Sequence, residues 1–403
     1  MSSIPPHWSK KKLKYVASLK SGDSITSDSI TESGEYPVFG GNGIRGYTAA
    51  YTHSGKYVLI GRQGALCGNI NYASGCFWAS EHAVVVDIKG EDEVVWLGEL
   101  LRSMDLNQYS QSAAQPGIAV DVVANLEIPV PPLIEQRAIA DYLDRETARL
   151  DGLVAAKERV LGLLAEKRRA LITRAVTRGL DPRAPLRDPG IPWLGEIPAH
   201  WTATRMKFLA TEPLAYGANE AALEDDPTFP RFVRITDVDS EGNLRDETFK
   251  SLPPEVAEPY LLRDGDVLLA RSGATVGKAF IYKPAWGIAC FAGYLIRCRC
   301  NTVLMQPDFL FAYTQTEPYW WQVREGTIQA TIQNFSAEKY GDLVVTVPPL
   351  EEQKSIIAHI AAETAMLDAL RAATERTIAL LKERRAALIA AAVTGQIEVE
   401  DAA

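Results

Sequence analysis

The chain is written twice, and this repeat limits the folds open to it more than any other feature. The 48 residues from Val130 (VPPLIEQRAIADYLDRETARLDGLVAAKERVLGLLAEKRRALITRAVT) align without a gap to those from Val347 (VPPLEEQKSIIAHIAAETAMLDALRAATERTIALLKERRAALIAAAVT), at an offset of 347 − 130 = 217, with 27 positions identical. Upstream, Val58-Leu-Ile-Gly-Arg62-Gln-Gly64-Ala-Leu-Cys-Gly68-Asn69 echoes Val267-Leu-Leu-Ala-Arg271-Ser-Gly273-Ala-Thr-Val-Gly277-Lys278 at an offset of 209. Ile4-Pro-Pro-His-Trp8 echoes Ile197-Pro-Ala-His-Trp201 at 193. Both copies therefore run from an IP-x-HW motif through a variable globular region into a long helical one, and the second globular region is the longer. A repeat of this kind points to two like-folded units.

Pro131-Pro132 and Pro348-Pro349 stop a strand and open a helix. Leu143, Leu150, Leu164 and Leu171 then recur at heptad spacing, with Ile139, Leu153 and Val160 on an adjoining line. The second copy repeats the pattern with Ile360, Leu367, Leu381 and Leu388, flanked by Ile356 and Leu370. This spacing predicts a coiled-coil seam, broken at the same repeat position by Lys157 and Thr374. The natural partner of each helix is the other, packed antiparallel, which would put the globular domains at opposite ends. An ordinary core helix is the alternative, but some five heptads is long for one.

The globular regions read as mixed α/β. Lys56–Ile60, His82–Val86 and Asp266–Leu269 are strand-like, between Gly-rich turns such as Gly40–Gly43. The expected α/β architecture has a first domain over 1–130, a helical region over 131–178 and a Pro-rich connector over 179–198. A second domain over 199–347, a second helical region over 348–395 and a tail over 396–403 complete this pseudo-two-fold repeat.

With 47% hydrophobic residues the chain can bury a core. No apolar run approaches the roughly 18 residues of a membrane span and no secretory leader is evident, so no membrane association and a cytoplasmic location are expected. Five cysteines, an odd number, suit reduced thiols. Cys298 and Cys300 suit one face of a strand, and no further ligands stand near enough in sequence to suggest a metal. The net charge of −9 weighs against wholesale nucleic-acid binding, although Lys10, Lys11, Lys12 and Lys14 form a local basic cluster.

Catalytic motifs are not found. Gly273–Lys278 has three rather than four residues between its glycines and lacks the Ser/Thr that would hold magnesium, so it is not a phosphate loop. Gly41-Asn42-Gly43 does not follow a clear strand and open a helix, which removes a dinucleotide or methyl-donor fingerprint. Neither an Asn-Pro-Pro-aromatic methyltransferase tetrad nor a carboxylate–lysine nuclease triplet is present.

What both copies do supply is an arginine, Arg62 or Arg271, at the end of an apolar strand on Gly-containing backbone that can approach a ligand closely. Such an arginine could bridge guanine O6/N7 or a phosphate; a structural ion pair that positions the loop is an equal alternative. Amide- and hydroxyl-bearing residues suited to base edges surround it: Asn42, Arg45, Gln63 and Asn69 in the first copy, and Ser272, Thr275, Lys278, Gln329, Thr331, Gln333 and Asn334 in the second. Lys11 and Lys12 are candidates for phosphate contact. Tyr319-Trp320-Trp321 could stack on bases or plug a core.

Taken together, these residues resemble the specificity subunits of type I restriction-modification systems over essentially the whole chain. The carriers are the twin PPL-x-EQ helices, with their Ala170-Leu-Ile172 to Ala175-Val-Thr177 and Ala387-Leu-Ile389 to Ala392-Val-Thr-Gly395 endings. The connector Ile191-Pro-Trp-Leu-Gly-Glu-Ile-Pro198 and the segment Arg271-Ser-Gly-Ala-Thr-Val-Gly277 add to them. The resemblance implies two target-recognition domains, each reading half of a split, asymmetric double-stranded DNA site. It also implies a helix pair that docks two methyltransferase subunits using S-adenosylmethionine, joined by two restriction motor-nuclease subunits using ATP and magnesium. The chain itself would bind no cofactor and catalyse nothing. Leu143 to Leu171 spans 28 residues, roughly 42 Å at a rise of about 1.5 Å per residue, on the order of one DNA turn of about 34–36 Å. The competing readings are a coiled-coil scaffold with degenerate domains, an enzyme with an unrecognised site, and the specificity subunit of a methyltransferase without restriction.

Overall fold

The computed structural model describes residues 4–64, 66–110, 116–239, 242–328 and 334–399. They form two compact units, Met1–Arg159 with Thr374–Ala403, and Val160–Ala373. No helix among the described residues is long and apolar enough to cross a membrane.

The first unit is built on a six-stranded sheet. His53–Gly61 pairs antiparallel with Ile70–Ala79 on one side and Ala83–Ile88 on the other, and Ala17–Ser21 closes that edge. Tyr36–Gly40 adds a parallel neighbour to Ile70–Ala79, and Gly43–Thr48 is the other edge. The apolar runs Val58–Ile60 and Val84–Val86 serve both faces by two-residue alternation. Val58, Ile60, Val84 and Val86 pack against Trp96, Leu97, Leu100 and Leu101, whereas Leu59 and Val85 pack with Phe39 and Phe77.

The second unit has a four-stranded antiparallel sheet in the order Ala215–Tyr216, Leu295–Cys298, Val267–Ala270, Ala279–Ile281. A separate parallel pair, Arg231–Val233 with Ala289–Phe291, accounts for part of its greater length. Cys298 ends one strand and Cys300 follows it; both are buried, and the hydrogen bond of the Cys298 thiol to Cys300, with burial, pushes that thiol well up.

The repeated sequence motifs meet in space. Ser9–Lys12 pairs with Glu127–Val130, and Thr202–Arg205 with Val344–Val347, so the strand after each IP-x-HW motif lies against the strand before each PPL-x-EQ helix. The glutamate of that helix motif then binds the Trp and His of the first. Trp8 Nε1 donates to Glu135 (2.8 Å) and His7 lies 2.9 Å from it; Trp201 Nε1 donates to Glu352 (3.1 Å) and His200 lies 2.8 Å from it. The glutamine beside it is fully buried. Gln136 accepts from the Glu93 amide and donates to the Pro131 carbonyl; Gln353 accepts from the Gln306 amide and donates to the Pro348 and Leu304 carbonyls. Glu93 and Gln306 are the N-cap residues of Val94–Ser103 and Pro307–Tyr313, so the glutamine satisfies an amide just where a helix begins.

The end of the other long helix completes each seat. Gly395 (φ +70°) packs so closely that a Cβ there would lie 2.4 Å from Pro5 and 3.1 Å from the Trp8 ring. Gly179 (φ +72°) does the same at 3.2 Å from the Trp201 ring. Ile389, Ala392 and Val393 thus share a core with Trp8, Ile139 and Leu143, while Ile172, Ala175 and Val176 share one with Trp201, Ile356 and Ile360.

The two long helices are Leu133–Arg178 and Leu350–Val393. Within the first unit Asp151 pairs with Arg385 (2.9 Å) and Glu158 with Lys382 (3.8 Å), so position rises on one helix as it falls on the other, the mark of antiparallel packing. Leu143, Leu150, Ile360 and Leu367 are buried and Leu164, Leu171, Leu381 and Leu388 half-buried.

The adjoining line differs from expectation. Leu153 and Leu370 are 41% and 50% exposed and Val160 also faces outward, so they lie outside the seam. The second line, buried or half-buried, runs instead through Thr147, Val154, Leu161, Arg168 and Ala175, and through Thr364, Ile378, Arg385 and Ala392. Its arginines lay their stems along the seam and send their heads to carboxylates across it, Arg168 to Asp368 within the second unit and Arg385 to Asp151 within the first.

Gln353→Ala would strand the Gln306 amide and the Leu304 and Pro348 carbonyls, at a cost of about 1–3 kcal/mol. Urea denaturation of the full chain is expected to show that loss, whereas Gln322→Ala, which also removes backbone hydrogen bonds but from a side chain that is not fully buried, is expected to cost less.

Candidate nucleic-acid interface

The Arg62 and Arg271 turns are the same backbone structure in both units. Gly61 N donates to Asn69 O (2.8 Å) as Ala270 N does to Lys278 O (2.8 Å), and Gly68 N donates to Gly61 O as Gly277 N does to Ala270 O. The arginine amide donates to a neighbouring strand, Arg62 to His82 O and Arg271 to Tyr294 O. Its carbonyl accepts from the segment leading to the long helix, from Ile118 N and from Phe335 N. Gly64 and Gly273 have φ of +91° and +67°, and Gly68 and Gly277 of +85° and +89°, which explains why these glycines stand in both copies.

The side chains around this shared frame differ. In the first unit Gly40–Gly43 is a hairpin turn between two strands, and Gly41 lies so close to Gly61 that a Cβ on Gly61 would sit 2.1 Å from its carbonyl oxygen. That packing brings Asn42 to Asn69, whose Nδ2 donates to Asn42 Oδ1 at 2.7 Å. Gln63 lies 3.0 Å from His82 Nδ1. Arg45 is exposed on the strand leaving the hairpin, and Arg62 is half-buried, its guanidinium without a hydrogen-bond or ion-pair partner among the described residues.

In the second unit Arg271 is held on three sides. Its guanidinium lies 4.7 Å from the Tyr216 ring centroid, Nε donates to Asn334 Oδ1 (3.3 Å) and Nη1 to Gly293 O (3.4 Å). Lys278 is exposed, Ser272 bridges to Asn334, and Thr275 donates to the Ser272 carbonyl, closing the turn. Gln329, Thr331 and Gln333 lie outside the described residues. Lys11 and Lys12 stand apart on the exposed Ser9–Lys12 strand, opposite Ile128 and Glu127.

The second turn is also fixed from beneath. Tyr340 donates to Ala270 O (2.6 Å) and accepts from Gly277 N (3.0 Å), and Tyr319 donates to Gly277 O (2.9 Å). Of the Tyr319-Trp320-Trp321 run, Tyr319 is a buried core plug, Trp320 packs against Gly277, and Trp321 stacks on Trp193 at 5.4 Å. Two residues of this surface were not singled out from sequence: Tyr216, which carries Arg271, and Tyr294, which is 63% exposed beside it. Both reach it through strand pairing, and only the match of Leu19-Lys-Ser-Gly22 to Leu214-Ala-Tyr-Gly217 signals the first. Among the described residues no three His, Cys, Asp or Glu side chains gather as a metal site.

Burial pushes the Tyr319 and Tyr340 phenols well above their ordinary value of 10.0. A raised folded-state value means that their contribution is intact below about pH 10 and is lost as pH rises through the folded values. Their contribution is therefore expected to be flat from about pH 7 to 9 and to fall above about 10. Tyr340→Phe is expected to lower the plateau by about 1–3 kcal/mol and to flatten the alkaline fall; urea midpoints against pH check both, and an unchanged alkaline slope would count against this account.

Residues 5–159 match the family model described as type I restriction modification DNA specificity domain. The chain is 44% identical over 140 residues to the EcoprrI type I restriction enzyme specificity subunit of Escherichia coli, covering 34% of this chain and only 35% of that relative. It is 23% identical over 336 residues to the putative specificity subunit S.HindORF215P of Haemophilus influenzae, covering 82% and 80% of the two. Among solved structures, a chain from a study of complex assembly and conformational transition of the type I R-M system superposes with a TM-score of 0.75 at 18% identity, over 98% of this chain and all of that one. The HsdS subunit from Thermoanaerobacter tengcongensis superposes at 0.54, also at 18% identity, over 98% and 99%. These two structures establish a shared fold.

Proposed function

We propose that this chain, a type I restriction-modification specificity subunit, reads a split, asymmetric DNA site, one half with each globular domain, and leaves catalysis to the subunits it assembles with. The observation that carries this reading is the duplicated turn, in which one backbone frame presents an arginine amid different neighbours. A constant frame with variable surroundings suits recognition of two different half-sites. Arg62 and Arg271 would bridge guanine O6/N7 or a phosphate. Asn42, Arg45, Gln63 and Asn69 would read beside the first, and Ser272, Lys278 and Asn334 beside the second, with Thr275 shaping the turn. Gln329, Thr331 and Gln333 belong to the same candidate set by sequence, and Lys11 and Lys12 would meet phosphates.

Two methyltransferase subunits would dock on the long helices and transfer methyl from S-adenosylmethionine to adenine. Two motor-nuclease subunits, using ATP and magnesium, would join them to cut unmethylated DNA in the cytoplasm. The exposed apolar residues Leu153, Val160 and Leu163, with Met366, Leu370 and Leu380, support a docking role for the helices. The net charge of −9 fits a subunit whose partners supply much of the phosphate neutralisation.

Methylome sequencing of cells expressing the chain with its neighbouring methyltransferase is expected to show adenine methylation at one split motif that vanishes without the chain. Arg62→Ala and Arg271→Ala are each expected to relax or abolish recognition of one half only, each lost bidentate contact costing about 1–3 kcal/mol. Unchanged methylation without the chain, with both proteins soluble and bound to each other, would overturn the reading.

A further inference from the structure

The C-terminal half of the first long helix carries a basic face that neither the seam nor the domain core uses. Arg169, Arg174 and Arg178 are exposed and have no ion-pair or hydrogen-bond partner among the described residues, whereas the adjacent Arg168 is spent on Asp368. With Arg324 of the helix Glu317–Ile328 they line a cleft of about 730 Å³ within the second unit. Its one acidic lining residue, Glu317, is already paired with Arg324. Three guanidinium charges are thus left without a counter-charge in one concavity.

Stabilising the end of the helix accounts for Arg178 but not for the group. Cations favour the last turn of a helix, yet Arg169 lies well before it. The second long helix carries Ala386, Ala391 and Gly395 at the corresponding positions, 217 residues on, and ends in the same kind of glycine-capped turn. The cleft also shares a wall with the Arg271 turn. Trp320 lines the cleft, and its ring lies 2.7 Å from where a Cβ on Gly277 would be.

We infer that this cleft grips the phosphate backbone of the DNA duplex whose bases the adjoining turn reads, an inference that rests on the function proposed above. Guanidinium forks bind phosphate oxygens two at a time, and backbone contacts set the register of a protein on DNA without carrying sequence information. Arg174 and Arg178 stand one turn apart, about 6 Å along the helix, so they present neighbouring charges to a backbone that carries charge at every nucleotide. The first unit has alanine, alanine and glycine at the matching places, so the grip belongs to the second domain and the two half-sites are held unequally.

The test is the double variant Arg169→Ala/Arg174→Ala of the full chain, purified with its methyltransferase, in which both new residues are those the second helix already carries. Binding to cognate and unrelated duplexes is measured across salt concentrations. The expected result is a log K against log salt slope shallower by about 2, an equal affinity loss on both duplexes, and an unchanged methylation motif. An unchanged slope overturns the inference. So does a variant that melts like the parent but no longer co-purifies with the methyltransferase, which would mark the cleft as a seat for an acidic protein surface. If the parent complex does not discriminate between the duplexes, the proposed reading function fails, while the comparison of slopes still decides the cleft.

Discussion

Each half of this chain depends on one acidic side chain and the amide beside it. Glu135 with Gln136, and Glu352 with Gln353, join a domain's opening tryptophan, the first turn of an internal helix and the start of a long helix. The glutamines are fully buried, so each bond they make replaces one that water cannot supply. This explains why PPL-x-EQ and IP-x-HW persist in both copies while the intervening globular sequence diverges. The motif is a joint, and a joint tolerates less change than the surfaces it carries.

The Arg62 and Arg271 turns follow the same division. Six backbone hydrogen bonds recur from one turn to the other, although the sequences share only the arginine, three apolar positions and the glycines at left-handed sites. The surrounding side chains are free to vary because they do not hold the frame. In the first unit a hairpin glycine packed on Gly61 supplies Asn42; in the second, an aromatic ring on an edge strand carries Arg271. Tyr319 and Tyr340 reinforce only the second, since the position matching Tyr340 in the first copy is Val123.

How much of this was legible beforehand follows from the range of each interaction. The repeat, the long helices and the apolar strands rest on local periodicity and were readable. The second line of the seam was not, because Thr147, Arg168, Thr364 and Arg385 interrupt its apolar members, and a search for apolar spacing passes over them. Nor were the glutamine contacts, which join residues 43 and 47 positions apart. Tyr216 reaches Arg271 only because Ala215–Tyr216 pairs with Leu295–Cys298, which in turn pairs with Val267–Ala270, a consequence of tertiary pairing rather than of any motif.

The way the last helix closes the first domain bears on how the chain is made. Val160–Ala373 is one unbroken run, so the second domain has every residue it needs once that run has left the ribosome. The first domain does not, because Ile389, Ala392 and Val393 belong to its core. From Arg159 to Val393 is 393 − 159 = 234 residues, about 10–50 s of synthesis at roughly 5–20 residues per second. Over that interval the earlier-made domain waits with an apolar seat open while the later-made one is completed. In this protein the domain begun first is the one whose core is completed last.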